Sequence, residues 1–329
     1  MTSAAELARA LRAGDRRALS KAITLVESTR PVDREAAREL LALLGPASAA
    51  TWRIGVTGVP GAGKSTLIDA LGEQAIRAGR RVAVLAVDPS SRQSGGSVLG
   101  DKTRMSRLAA DASAYVRPSP TLGVLGGIAA RTRESISLCE AAGYDLVFVE
   151  TVGVGQSEEQ VASLVDCVLL LLLSGAGDEI SSMKRGILEA ADVIAFNKAD
   201  GERAASAASD ASALRSSLAV SRGQQTPPVL VVSALQGTGI TELWQALGEH
   251  HARAESLGEF RARRTRQRTE YFSAAFDEAL SEALARRPGA ALARRAAEAS
   301  VQDGTASPWE AAQRLVLALL PEPESSDRE

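Results

Sequence analysis

The sequence predicts an α/β fold: a doubly wound, mostly parallel sheet with helical segments added at both ends. Three observations carry that prediction. The runs WRIGVTG, RVAVLAVD, AYVRPS, DLVFVET, CVLLLLLS, VIAFNKAD and PVLVVSAL are apolar throughout rather than alternating, the texture of strands covered on both faces. Stretches of helical pattern separate them, as crossover connections between parallel strands require. Before and after this region the apolar spacing turns purely helical, so the sheet belongs to the middle of the chain.

Residues 1–48 read as an N-terminal helical extension. Leu7 and Leu11, then Leu19, Ile23 and Val26, then Ala36, Leu40 and Leu44 recur at helical spacing with charged residues between them. Pro31 opens the last of these segments and Gly45-Pro46 closes it, the usual punctuation of a helix. Residues 49–250 hold the strands and form the central domain.

From 251 to 321 the chain reads as a C-terminal helical arm, where Phe272, Phe276, Leu280 and Leu284 make a four-spaced stripe and a further helix runs from Trp309 to Leu320. Such an arm either packs on its own core or buries its stripe against a second copy, and the second outcome, a homodimer, is the expectation. The polar tail 322–329 is expected to be disordered. Arg261, Arg263, Arg264, Arg266 and Arg268 read as one solvated helix face.

Across 329 residues, 45% are hydrophobic and 24% charged, enough to build one large core with extensions. The formal net charge of -2 gives no electrostatic reason to expect nucleic acid or an acidic membrane as partner. The most apolar run, VLLLLLS from Val168, is far shorter than the ~20 residues needed to span a bilayer.

Cys139 and Cys167 are the only cysteines, with no CxxC and no histidine at ligand spacing, so neither a disulfide framework nor a zinc site is expected. His250 and His251, adjacent in sequence, read as a surface pair. The N-terminus has no apolar core of a secretory signal, and with two core thiols a reducing cytoplasmic location is the expectation.

The chemistry starts at Gly58-Val59-Pro60-Gly61-Ala62-Gly63-Lys64-Ser65, which matches GxxxxGK[ST] directly after a strand and before a helix. That context makes it a P-loop, the phosphate cradle of P-loop NTPases. Backbone amides must close around phosphate oxygens, where side chains would obstruct them, and the next helix adds its N-terminal partial charge. Gly58, Pro60, Gly61, Ala62, Gly63, Lys64, Ser65 and Thr66 are the expected phosphate-binding residues. Lys64 is expected to reach the β and γ phosphates, and the Ser65 hydroxyl to ligate Mg2+.

Base choice is written in Asn197-Lys198-Ala199-Asp200, an NKxD pattern at a strand end. The Asp200 carboxylate can accept from both the ring N–H and the exocyclic amine of guanine, and adenine offers no such pair on that edge. Ser233, Ala234 and Leu235 follow the next strand and are expected to meet the base from its other side. GTP and GDP are therefore the expected substrate and product.

Three acids lie between the two motifs: Asp88 at the end of RVAVLAVD, Asp101 in SGGSVLGDKTRM, and Glu150 in YDLVFVETVGVGQS. Magnesium keeps an octahedron and retains waters beside phosphate ligands, so three carboxylates cannot all bind it directly once Ser65 and the phosphates are in place. Some must act through water, and Glu150, with its extra methylene, suits an outer position. Gly153 suits a close amide contact to the γ-phosphate. Val154 cannot orient a water, so hydrolysis is expected to be slow without a partner.

GVPGAGKST, VDPSS, SGGSVLGDKTRM, RPSPTLGVLGG, ETVGVGQSE, GAGDEISSMKRGI and NKAD, in this order, resemble the MeaB/ArgK-type GTPases, relatives of the methylmalonic aciduria type A protein. The resemblance is close over about residues 50 to 240. It implies a G domain between an N-terminal helical extension and a C-terminal dimerisation arm, and a magnesium set of Ser65, Asp88, Asp101 and Glu150. Lys184 matches the lysine of a mobile loop that senses the partner and joins Lys64, Glu150 and Asp88 in the implied catalytic group.

The implied partner is an adenosylcobalamin-dependent acyl-CoA mutase, usually methylmalonyl-CoA mutase, whose cofactor loading and reactivation the GTPase gates, with the cobalamin adenosyltransferase as a further candidate. Two departures, Ser174 where a proline is commoner and Ile180-Ser181-Ser182-Met183 for a more usual LQGI, open the choice of mutase. A P-loop phosphotransferase of the transport-system kinase type, acting on a protein or small molecule, is the alternative.

Overall fold

The computed structural model describes residues 2–45, 50–88, 105–120, 125–151, 161–175, 185–223 and 226–320. The chain divides into two compact units, Met1–Gln267 and Arg268–Glu329.

The first unit is built on a seven-stranded parallel sheet. Its strands are β1 (Trp52–Gly58), β2 (Val82–Asp88), β3 (Ala114–Pro120), β4 (Leu146–Thr151), β5 (Cys167–Leu173), β6 (Val193–Asn197) and β7 (Val229–Val231), in the spatial order β3-β2-β4-β1-β5-β6-β7. Every residue of β1, β4 and β6 is buried, which is why these runs carry no polar alternation. β1 lies between β4 and β5, so the strand order reverses direction around it. In sheets of this kind the crevice beyond the carboxyl ends of the strands at such a reversal is where ligands bind.

Helices cover both faces. α1 (Ala4–Arg12), α2 (Arg16–Glu27) and α3 (Pro31–Leu44) precede the sheet. Ser3 and Glu6 close a reciprocal capping box at the start of α1, and Asp15 accepts from two backbone N–H groups at the start of α2. Leu7, Leu11, Leu19, Ile23 and Leu40 enter one core with Leu85, Tyr115, Val147 and Val149 of the sheet, and with Ile136 and Cys139 of α6 (Leu125–Ala141). The N-terminal helices thus share the core of the strand-bearing unit.

On the other face α4 (Lys64–Arg77), α5 (Ser106–Ala110) and α9 (Ile240–Ser256) supply Leu67, Leu71, Leu108, Leu243 and Leu247 to a core with Ile54, Phe148 and Leu169. A third cluster joins α7 (Arg185–Ala190) and α8 (Arg203–Arg222) to β5, β6 and β7 through Ile187, Ala207, Leu172 and Phe196.

α10 (Glu259–Ala285) spans the division between the units, and α11 (Ala290–Gln302) and α12 (Pro308–Leu319) lie in the second. That unit covers little of its own apolar surface: among its described residues only Ala290 and Ala311 are buried. Phe272 is 68% and Trp309 80% exposed, and the rings of Phe272 and Phe276 stack with centroids 6.3 Å apart. Among the described residues no helix is long and apolar enough to cross a membrane.

Candidate nucleotide-binding site

The site forms where β1 turns into α4. Gly58 ends β1 at φ 144°, and a Cβ there would come within 2.2 Å of the Leu171 carbonyl oxygen on β5. Only glycine permits that approach. Gly63 caps α4 in the left-handed region at φ 87°, with no side-chain cap, so the first-turn N–H groups of α4 have no side-chain acceptor from that position. Such amides, together with the helix partial charge, make a seat for a phosphate. Pro60 and Gly61 are exposed on the loop, Ala62 is buried beneath it, and Thr66 is half-buried on the first turn of α4.

Lys64 is 7% exposed and folds back over its own loop, donating to the carbonyl oxygens of Gly58 at 2.9 Å and Val59 at 3.1 Å. Ser65 donates its hydroxyl to Glu150 Oε1 at 2.7 Å. Glu150 stands next to the end of β4, its backbone in register with Val56 on β1 and Ala86 on β2, and is 8% exposed. Thr151 donates to Thr57 at 3.0 Å, tying the ends of β4 and β1 together directly beside this pair.

A hydroxyl and a carboxylate in contact at the mouth of a P-loop are hard oxygen donors, the set that magnesium takes. The residues fit the ion. The backbone of Asp88 closes β2 opposite Pro120 of β3, on the strand next to β4, and its side chain lies outside the described residues. Asp101, Gly153 and Lys184 lie outside them too.

The guanine-selecting segment is wired to the P-loop through backbone. Asn197, the last residue of β6 and 2% exposed, donates its amide to the Ala62 carbonyl at 2.7 Å and accepts from the Ala234 N–H at 3.0 Å. Both ends of its side chain are engaged with the main chain, so it clamps the phosphate loop to the loop after β7. Gly63 makes room for it: a Cβ there would stand 2.7 Å from Asn197 Nδ2 and 3.9 Å from Lys198 Cε. Lys198 adopts φ 61°, an uncommon conformation for a residue with a side chain, and its Cε comes close to Gly63.

Ser233 is fully buried and donates its hydroxyl to the Asp200 carboxylate, while its oxygen accepts from the Gln236 N–H at 3.1 Å. The Asp200 carboxylate is thereby fixed in orientation. Leu235, 76% exposed, follows buried Ala234 and leaves an apolar surface beside it for a flat ring. The structure thus gathers Lys64, Ser65, Glu150, Asn197, Asp200, Ser233, Ala234 and Leu235 along the carboxyl ends of β1, β4, β6 and β7.

At the other end of the sheet two sequence expectations are corrected. Arg263 and Arg264 are not part of a solvated face. Arg264 is 7% exposed, donates to both carboxylate oxygens of Asp166 at 2.8 and 2.7 Å and to the Thr51 carbonyl, and stacks over Phe260 at 4.2 Å. Arg263 is bidentate to Asp192, at 2.8 Å to each oxygen. Arg261, Arg266 and Arg268 are exposed as expected. The helix turns two arginines of the run inward, where two acids at the strand starts await them.

Nor are the histidines a surface pair. His250 is buried, and His251 is half-buried between Trp52, at 4.8 Å, and Phe260, at 5.3 Å. Burial is the main cause that pushes both imidazoles below their ordinary range.

Several known proteins are similar to this chain. The family model described as "Methylmalonyl Co-A mutase-associated GTPase MeaB" matches residues 19–288. A probable GTPase of Mycobacterium tuberculosis is 48% identical over 313 residues, 94% of this chain and 93% of the relative. The GTPase ArgK of Escherichia coli is 46% identical over 270 residues, 81% of this chain and 82% of its own. The mitochondrial methylmalonic aciduria type A homolog of Mus musculus is 42% identical over 318 residues, 93% of this chain and 77% of the relative. Among solved structures, one described as an LAO/AO transport system kinase superposes with a TM-score of 0.71 at 36% identity, covering 96% of this chain and 97% of its own.

Proposed function

The chain belongs to the MeaB family of GTPases, and from that membership we propose that it is a GTP-operated escort of an adenosylcobalamin-dependent acyl-CoA mutase, methylmalonyl-CoA mutase first among candidates, gating cofactor loading and reactivation. That it binds guanine nucleotide and hydrolyses GTP follows from the family and fold. The Ser65–Glu150 contact at the P-loop mouth is the observation that carries the switch reading.

In this reading the α4 amides seat the β-phosphate, and Lys64 leaves the Gly58 and Val59 carbonyls for the β and γ phosphates. Ser65 holds the magnesium ion, with Glu150 and the acids Asp88 and Asp101 around it, some through water. When bound, that ion neutralises charge developing on the phosphate oxygens. Glu150, which accepts from Ser65 here, would then hold a water. Asp200, oriented by Ser233, accepts from the guanine edge, and Asn197 keeps the base and phosphate halves in register. Gly153 contacts the γ-phosphate and Lys184 reports on the partner. With Val154 beside Gly153 no side chain there orients the water, so the mutase supplies or orders the missing group.

The exposed apolar residues of the second unit suit a homodimer, which buries them. The cobalamin adenosyltransferase is a further partner in the same cofactor traffic. A similar structure described as a transport system kinase favours a second reading, phosphoryl transfer to an acceptor. One experiment separates them: with GTP labelled on the γ-phosphate, the switch releases free phosphate and co-elutes with mutase in a nucleotide-dependent way. Label on an acceptor, with no nucleotide-dependent co-elution, favours the kinase reading.

A further inference from the structure

At the amino-terminal edge of the sheet, away from the P-loop, three donors of different chemistry converge. Cys167 opens β5, Asp192 precedes β6 and His250 lies on α9. One ligand atom from each lies within 4.8 Å of the other two. Cys167 is fully buried and His250 9% exposed. Neither ring nitrogen of His250 has a hydrogen-bond partner, and Nε2 faces Asp192 Oδ1 at 3.8 Å. A buried imidazole with both nitrogens unsatisfied is expensive and calls for an explanation.

We propose that Cys167, Asp192 and His250 form a binding site for a zinc-class divalent cation that ties β5 and β6 to α9. Thiolate and imidazole favour zinc over magnesium, which separates this site chemically from the one at the P-loop. Asp192 is already oriented for the task. Its Oδ2 accepts from the Val168 N–H at 2.8 Å and from Arg263, leaving Oδ1, which accepts one bond from Arg263, with capacity toward His250.

Such outer partners commonly orient the ligands of a metal. Tetrahedral zinc sets its donors about 3.3 to 3.8 Å apart, so no side of the triangle need contract by more than about 1.5 Å. Arg263 beside Asp192 keeps 30% of its side chain exposed, and a water entering from that side would be the fourth ligand. Binding breaks the Cys167 S–H bond, forms the sulfur–metal bond and releases the proton to solvent, while His250 binds as the neutral imidazole. Sequence spacing concealed this site because its members are brought together only by the sheet and α9.

The test titrates the full-length, nucleotide-free protein with Co2+, then with Zn2+ in competition. About one equivalent of Co2+ should bind with a near-ultraviolet thiolate-to-cobalt charge-transfer band that Zn2+ abolishes. Cys139→Ser and His251→Ala should keep the band, Cys167→Ser should lose it, and His250→Gln should weaken binding at least about tenfold. Unchanged GDP affinity reports that each variant is folded. If Cys167→Ser loses GDP binding, His250→Gln carries the same test. Absence of the band in the parent protein, its survival in a folded Cys167→Ser protein, or undiminished affinity in His250→Gln overturns the proposal.

Discussion

Asp200 and Asn197 lie three residues apart and have different tasks. Asp200 is oriented by buried Ser233, so its carboxylate is preorganised for two donors on one edge of a base. Replacing it with Asn presents an amide that can donate, and xanthine, which carries a carbonyl where guanine has an amine, becomes the better match. In competition experiments Asp200→Asn should lose GDP affinity on the order of 100-fold and favour XDP.

Asn197 instead bonds the main chain at Ala62 and Ala234. Asn197→Ala should cost about 1–3 kcal/mol in denaturant unfolding of the nucleotide-free protein, because buried backbone partners are left unsatisfied. The motif residues were legible in the sequence because a P-loop and NKxD are contiguous, and their chemistry survives any detail of packing. The clamp role of Asn197 was not, since it depends on which loops face each other.

At the scale of elements, the strands were legible because two covered faces force an apolar run, and the helices because their apolar spacing and caps are local. The arginine run on α10 shows the limit. Arg261 and Arg264 differ in sequence by nothing that periodicity can weigh, yet one is solvated and the other meets Asp166, whose side chain is 1% exposed. Asp166 also accepts from the Arg53 N–H at 2.9 Å, and Arg53 in turn pairs with Glu140 at 2.7 Å. Removing Arg264 leaves a buried carboxylate without its main counter-charge. Arg264→Ala should therefore destabilise the protein by about 3–5 kcal/mol, while Arg261→Ala should stay within about 0.5 kcal/mol. Equal midpoints for the two in urea unfolding would contradict this account of the α10 start.

At the scale of the molecule, the second unit leaves Phe272, Phe276, Leu280, Leu292 and Trp309 exposed. Large apolar side chains exposed in this number are characteristic of an interface. Light scattering should give twice the chain mass for the parent protein, and a Phe272→Asp, Phe276→Asp double variant should run as the monomer with its P-loop function intact. The stripe was legible in the sequence, but whether a second copy covers it depends on two chains and not on the spacing within one.

The same holds for catalysis: the chain supplies a nucleotide site, and the partner is proposed to complete it. The most direct measurement is steady-state GTP turnover alone and with a purified adenosylcobalamin-dependent mutase. A slow intrinsic rate that rises on the order of tenfold or more on adding the mutase, in a Lys64-dependent way, is the expected result. Equal rates with and without methylmalonyl-CoA mutase and its relatives would contradict it.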